Sequence, residues 1–197
     1  MLNLLLVRHG QSEWNASGRW QGQADPPLSD LGRLQAVAAA DALGTPDLLV
    51  ASDLDRARHT AMILSEAIGV GPVLTDPAFR ERDAGEWSGL TRDEIEQQWP
   101  GWLTERRRPP GFEAESEVTA RVMEAIGRLE DEYDGAEVVI VTHGGVIFAI
   151  ERHLDVHEVD RLPNLGARQV TVQAGGLRLG DRFTLVDEDL SFTPGQI

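Results

Sequence analysis

Short aliphatic runs alternate with helical periodicity along most of the chain. Residues 2–7, 48–51 and 138–141 are nearly continuous aliphatic stretches, which is typical of strands that are covered on both faces. Apolar residues recur at helical spacing after Ser29 and again over 117–134, and this predicts amphipathic helices. The alternation predicts an α/β fold, a three-layer α/β/α sandwich with a mostly parallel central sheet.

Capping signals divide the first half of the chain into strand and helix pairs. Ser29 is a predicted N-cap, and Gly44 is predicted to end the helix that follows it. Asp53 or Asp55 is predicted to cap the next helix, which ends at Gly69. Each of the first two predicted strands is therefore followed by a helix.

The alternation stops between residues 85 and 116. Several tryptophans and prolines are concentrated here, and Thr91 with Glu94 resembles a capping box that opens a short helix. We interpret residues 85–116 as a small, mainly helical cap inserted over a cleft at the sheet edge, and such inserted segments usually determine which ligand binds. Arg106–Arg108 is the one basic run in an acidic chain. Either a contact to a substrate anion or a solvated charged surface accounts for it.

The composition is that of an ordinary globular protein with an acidic surface. At 197 residues, 41% of them hydrophobic and 26% charged, the chain fits one domain over residues 1–197. The formal net charge of −15 argues against a nucleic-acid partner, because phosphate backbones are held chiefly by clustered lysine and arginine. The absence of cysteine excludes disulfides and thiolate metal sites.

The amino-terminal aliphatic run bears on location. It is too short before Arg8 for a signal peptide or a membrane-spanning helix. We therefore expect a cytoplasmic protein with no membrane partner. The oligomeric state is left open by the sequence, with a homodimer among the states allowed.

Two predicted strands end in a histidine followed by glycine. Arg8, His9 and Gly10 follow the first aliphatic run, and His143 with Gly144 follows the last. Ligands bind beyond the carboxyl ends of strands in open α/β sheets, so we expect both histidines at one edge. A neutral imidazole is a nitrogen nucleophile, and a planar guanidinium suits phosphate oxygens. Taken alone, the first tripeptide would also fit a strand end with two solvent-facing polar residues.

Five motifs in chain order resemble the histidine phosphatase superfamily, which contains the cofactor-dependent phosphoglycerate mutases and related phosphatases. They span about residues 3 to 148. The motifs are Arg8-His9-Gly10 with Ser12 and Asn15; Gly22 with Asp25 and Leu28; Ser52 to Ala61; Glu81 with Gly85 and Trp87; and Thr142-His143-Gly144. Glu115-Ser116 is similar to a further family element in which Ala114 replaces a glycine.

The resemblance implies a role for each matched side chain. His9 corresponds to the nucleophile, Glu81 to the proton donor, and His143 to a partner of the transferring phosphoryl group. Arg8 and Arg56 correspond to the two arginines that clamp the phosphate. Further phosphate-binding candidates are Asn15, Gln21, Gly22 and Gly144.

These residues together predict a metal-independent phosphomonoester hydrolase that acts on a small phosphorylated metabolite through a phosphohistidine. No cofactor or metal is expected, because the arginines and His143 supply positive charge and His153 and His157 lack ligand spacing. One alternative is a phosphoglycerate mutase, which returns the phosphoryl group to its substrate and needs an extensive lid to exclude water. Another is a non-catalytic module that binds a phosphate ligand.

Overall fold

The computed structural model describes residues 1–157, 160–174 and 176–195, and six strands in them form one sheet. The strands are β1 (Leu2–Arg8), β2 (Leu48–Ala51), β3 (Leu74–Thr75), β4 (Glu137–Thr142), β5 (Gly166–Gln173) and β6 (Gly176–Thr184). Their order is β3-β2-β4-β1-β5-β6. The first four strands in that order are parallel, whereas β5 runs antiparallel to both of its neighbours. The predicted mostly parallel sheet is confirmed.

Helices cover both faces of the sheet. They are α1 (Glu13–Ala16), α2 (Asp30–Leu43), α3 (Asp55–Ile68), α4 (Arg92–Gln98), α5 (Glu115–Glu132) and α6 (Gly144–His153). Buried residues of α5 and α6 pack with Leu4, Leu6 and Ile140 on one face. Buried residues of α2 and α3 pack with Val7 and Val141 on the other. Successive strand residues therefore point into opposite hydrophobic layers, as a three-layer sandwich requires.

The predicted cap of α3 is wrong. Leu54 occupies the N-cap position and makes no capping bond through its side chain. Asp53 instead accepts two hydrogen bonds from Arg80, at 2.7 and 2.6 Å, and Asp55 pairs with Arg58 one turn further along α3. Both carboxylates are thus taken by arginines, so local capping preference was overridden by ion pairing.

The segment over 85–116 is less helical than expected. It holds one 3₁₀ turn, Gly85–Trp87, and the seven-residue helix α4, whose predicted capping box between Thr91 and Glu94 is present. Its aromatic side chains form a separate hydrophobic cluster around the fully buried Trp87. Its last two residues belong to α5, which begins at Glu115. In the described part of the chain, no helix is both long and apolar enough to cross a membrane.

Candidate active site

The two histidines meet at one sheet edge because their strands are parallel neighbours. β1 and β4 pair in register up to Arg8 and Thr142, so His9 and His143 are the next residue on each strand. Their ring centroids lie 5.0 Å apart at an interplanar angle of 62°. Both side chains are buried, His9 with 2% of its surface exposed and His143 with none. The predicted juxtaposition is present.

The hydrogen bond of His9 determines which ring nitrogen is free. Its Nδ1 lies 2.6 Å from the carbonyl oxygen of Gly10. A carbonyl can only accept, so Nδ1 carries the proton and donates it. In the neutral ring, Nε2 therefore holds the unshared electron pair. This is the tautomer that a nitrogen nucleophile requires.

His143 is oriented by a serine from the neighbouring strand end. Its Nε2 lies 2.9 Å from Oγ of Ser52, which directly follows β2. Its Nδ1 is buried and has no hydrogen-bond partner among the described residues. If the Ser52 hydroxyl donates to Nε2, Nδ1 of the neutral ring carries a proton that remains available as a donor.

Both imidazoles are neutral near pH 7. Burial lowers the pKa of His9 well below its ordinary value, and the charges of Arg56 and Arg8 lower it further. Burial likewise lowers the pKa of His143, with Arg56, His9 and Arg8 adding to the effect. The hydrogen bond from His9 to Gly10 acts in the opposite direction and is outweighed.

Two buried arginines surround the histidines. Nη1 of Arg8 donates to the carbonyl of Leu162 at 2.5 Å, while Arg56 donates from Nη1 to the carbonyl of Ala24 and from Nη2 to that of Gly22, both at 2.8 Å. Burial lowers the pKa of each guanidinium to about 10, so each stays charged at neutral pH. The Nε atoms of both are buried without a partner among the described residues.

Glu81 reaches the site from the loop before the cap. Its Oε1 accepts from the backbone N–H of Arg82 at 2.8 Å, and its Oε2 accepts from that of Gly145 at 3.2 Å. Gly145 lies in the first turn of α6, where free N–H groups favour a carboxylate. A Cβ on Gly145 would lie 2.2 Å from Oε1, so glycine is required for this approach.

Three of the four remaining candidate phosphate-binding residues line the cavity, and the fourth is buried beside it. Asn15 and Gln21 line the cavity, and Gln21 Oε1 accepts from Ser12 Oγ at 2.7 Å. Gly22 also lines it, with φ of +51° and its carbonyl directed at Arg56. Gly144 is buried at the start of α6, and it is the following glycine that lines the cavity. Phosphate binding by these four residues stays a prediction.

Sequence reasoning does not single out Asn164, which lies in the loop before β5. This fully buried side chain donates from Nδ2 to the carbonyl of His9 at 2.9 Å and to Oδ1 of Asn15 at 3.3 Å. It thereby ties the loop before β5 to the backbone of the histidine 155 positions earlier. No local spacing could have indicated this bond, because only the return of the chain to β1 creates it.

Arg8, Asn15 and Glu81 line a cavity of about 320 Å³ beside the two histidines. Beyond Arg8, Asn15 and Glu81, its lining contains further cations and aromatic rings. These are Arg82, Arg108, Arg152, Arg161, Trp20, Phe112 and Phe148. Of the basic run, Arg108 lines the cavity, whereas the guanidinium of Arg107 lies 4.2 Å from the ring centroid of Trp102.

Ala114 occupies a position where a glycine is not needed. Its φ of −68° and ψ of 146° are an extended conformation that any residue adopts. Its N–H donates to Oε2 of Glu117 at 2.7 Å and so caps α5. The departure from the family element at this position therefore causes no backbone strain.

Comparison with known proteins agrees with the motifs. A family model described as histidine phosphatase superfamily (branch 1) matches residues 4–180. A glucosyl-3-phosphoglycerate phosphatase from Mycobacterium tuberculosis is 42% identical over 178 residues, which cover 83% of this chain and 79% of that protein. A 2,3-bisphosphoglycerate-dependent phosphoglycerate mutase from Methylobacterium sp. is 34% identical over 82% of this chain and 85% of the mutase.

The solved structures give the same result. A mycobacterial glucosyl-3-phosphoglycerate phosphatase in complex with VO3 superimposes with a TM-score of 0.83 and 35% identity. The match covers 94% of this chain and 99% of that one. The resemblance drawn from the motifs is thus confirmed over nearly the whole chain, which belongs to branch 1 of the histidine phosphatase superfamily.

Proposed function

We propose that this phosphatase hydrolyses phosphomonoesters of small metabolites through a covalent phosphohistidine at His9. One observation carries the proposal: the unprotonated Nε2 of a buried, neutral His9 lies among the charges of two buried guanidiniums. Such a site attracts a phosphoryl group and offers it a nucleophile that needs no prior deprotonation. The similarity to a glucosyl-3-phosphoglycerate phosphatase supports a small phosphorylated metabolite as the substrate class.

The reaction divides into two displacements. In the first, the lone pair of His9 attacks phosphorus, the bond to the alcohol oxygen breaks, and that oxygen takes a proton from the Glu81 carboxyl group. In the second, water attacks the phosphohistidine, Glu81 accepts a proton from the water, and the P–N bond breaks. Inorganic phosphate leaves, and both side chains return to their starting protonation states.

The surrounding groups act on the charge that moves during these steps. Among the described residues, the Nε–H of Arg8, the Nε–H of Arg56 and the Nδ1 of His143 have no hydrogen-bond partner. We assign these three donors to the oxygens of the transferring phosphoryl group. As the P–N bond forms, the ring of His9 gains positive charge, which the Gly10 carbonyl stabilises through Nδ1. The proposal requires no metal, since the cationic side chains meet the developing negative charge.

The test is phosphate release from a panel of phosphomonoesters in excess EDTA, with wild-type protein, His9→Gln and His153→Gln. His153 is exposed and serves as the matched control. We expect His9→Gln to lose about 10⁴-fold or more in kcat, because a nucleophile is removed, and the control to retain wild-type turnover. Brief incubation with labelled substrate, followed by alkaline quenching, should trap phosphohistidine in wild type and not in His9→Gln.

Three results would contradict the proposal. Near-normal turnover by His9→Gln would show that another group attacks phosphorus. Loss of wild-type activity in EDTA would show that a metal is needed. Rapid conversion of 3-phosphoglycerate to 2-phosphoglycerate with little free phosphate would identify a mutase, the activity of one of the relatives.

A further inference from the structure

The cavity has a second concentration of positive charge away from the histidines. We call Arg82, Arg108 and Arg152 the outer wall. They come from the loop after Glu81, from the cap and from α6, and all three line the cavity. This grouping stands out in a chain whose formal net charge is −15.

The outer wall contains more positive than negative charge. Glu115 contacts Arg152 and lies 3.9 Å from Nη1 of Arg82, so one carboxylate is shared by two of the arginines. Arg108 has no carboxylate within 4.0 Å in the described part of the chain. Its side chain donates a hydrogen bond from Nη1 to the carbonyl of its neighbour Arg107, at 3.1 Å.

The three arginines repel one another. Partial burial lowers the pKa of Arg108, and the nearby charges of Arg82, Arg152 and Arg106 lower it further. Burial also lowers the pKa of Arg82. Glu115 opposes this effect, Arg152 adds to it, and Glu113 and Glu81 oppose it further. Such repulsion costs free energy, and an anion bound between the guanidiniums would remove that cost.

Aromatic rings contact two of the three guanidiniums, those of Arg82 and Arg108. The Phe112 centroid lies 4.7 Å from Cζ of Arg82 and 5.2 Å from Cζ of Arg108, so one ring supports two cations. Arg108 also lies 5.5 Å from the ring centroid of Trp87, which is fully buried. Cation–π contact of this kind positions a guanidinium without neutralising its charge. Nε of Arg82 donates to the carbonyl of Glu113 and Nη1 of Arg108 donates to that of Arg107, so the other N–H groups of these two guanidiniums are the ones offered to an anionic ligand.

We propose that the outer wall binds a second anionic group, a carboxylate or a second phosphate, on the alcohol portion of the substrate. The inference rests on the proposed function, which assigns the first phosphate to the histidines. Arg8 and Glu81 line the same cavity as the outer wall, so one ligand can touch both regions. A volume of about 320 Å³ suits a small metabolite. The substrate class is narrowed to phosphorylated acids and bisphosphates, and neutral sugar monophosphates are disfavoured.

The test compares ligands that differ in the second charge. Glycerol 3-phosphate and 3-phosphoglycerate form the carboxylate pair, and fructose 6-phosphate and fructose 1,6-bisphosphate form the phosphate pair. Dissociation constants are measured by calorimetry on His9→Gln, which prevents turnover, with and without Arg108→Gln. Arg108 is chosen because it has no carboxylate to leave unpaired. Arg107→Gln, one residue away in the same basic run, is the matched control.

We expect the more anionic member of at least one pair to bind about tenfold or more tightly, as for hydrogen bonds to charged groups. Arg108→Gln should reduce that preference about tenfold, and Arg107→Gln should preserve it. A preference in the first pair identifies a carboxylate site, and one in the second pair identifies a phosphate site. Equal affinities within both pairs, or a preference that Arg108→Gln leaves intact, would overturn the inference. Failure of the proposed function shows separately, as absence of phosphate release from wild-type protein.

Discussion

The two cationic regions of the candidate site are built in different ways. We call the buried pair Arg8 and Arg56, beside the histidines, the floor. These two arginines have at most 2% of their surface exposed, and they donate to backbone carbonyls. In the outer wall, 24% of the Arg82 side chain and 47% of the Arg152 side chain are exposed. Phe112 packs against Arg82, and both arginines share Glu115, while Arg82 also donates from Nε to the carbonyl of Glu113 at 2.6 Å.

This difference indicates that the two regions have different roles, one in holding the transferring phosphoryl group and one in recognising the alcohol portion of the substrate. A backbone carbonyl keeps its position when side chains change, so the floor can hold a transferring phosphoryl group in one geometry. The outer wall depends on side-chain contacts, so single substitutions can alter what it recognises. We therefore expect changes at the floor to affect the chemical step and changes at the wall to affect the choice of alcohol.

The largest effect should follow from breaking the floor at Arg56. Arg56→Lys keeps the charge, but an ammonium group cannot reproduce the planar arrangement that donates to Gly22 and Ala24 and leaves Nε free. We expect kcat/KM to fall by about 10²- to 10³-fold, as when a preorganised donor is removed. Arg58→Lys, at a half-buried position of the same helix that does not line the cavity, is the control. Similar losses in the two variants would contradict the special role of Arg56.

A smaller and substrate-dependent effect should follow from Glu81→Gln, which retains the shape of the side chain and removes the acid. Loss of about 100-fold in kcat is expected with an alkyl phosphate, whose leaving oxygen needs a proton. With p-nitrophenyl phosphate the loss should stay below about tenfold, because that leaving group departs unprotonated. Glu86→Gln, exposed in the 3₁₀ turn, should change neither rate. Equal losses on both substrates would assign Glu81 to binding.

Gly145→Ala tests whether the position of the Glu81 carboxylate matters, because it displaces this side chain without changing its chemistry. The new Cβ would lie 2.2 Å from Oε1 and displace the carboxylate. We expect an approximately tenfold fall in kcat for alkyl phosphates, since small displacements of a reacting group are costly. Gly127→Ala on α5 has no atom within 4 Å of its added Cβ and should leave kcat unchanged. Wild-type kcat in Gly145→Ala would show that Glu81 need not occupy its present position.

The smallest effect concerns the stability of the floor. Because burial holds the pKa of His9 and His143 well below 6.5, the unfolded chain binds more protons than the native protein below that pH. Lower pH therefore favours unfolding, by up to about 1.4 kcal/mol per pH unit for each histidine. The free energy of unfolding, measured in urea from about pH 8 to about pH 5.5, should fall less steeply in His9→Gln than in wild type. Parallel curves would mean that His9 titrates normally when folded.

Much of the fold and the centre of the site could be predicted from the sequence. The aliphatic runs at 2–7 and 138–141 marked strands because a strand covered on both faces must be apolar at successive positions. Parallel neighbours end at one edge, so His9 and His143 were expected together. The motifs around Arg56 and Glu81, through their resemblance to the family, added these two side chains as candidates. These signals are local, so the chain alone carries them.

Only the tertiary structure determined which residues hydrogen-bond to the two histidines and which residues line the cavity beside them. The bond from Asn164 to the His9 carbonyl and the bond from Ser52 to His143 join distant segments, and no periodicity along the chain records such contacts. The sequence also does not show which arginine of the basic run faces the cavity. In the structure Arg108 lines the cavity, whereas Arg107 packs on Trp102. Adjacent residues of one type differ only in the direction that the folded backbone gives them, and that direction depends on packing of the whole molecule.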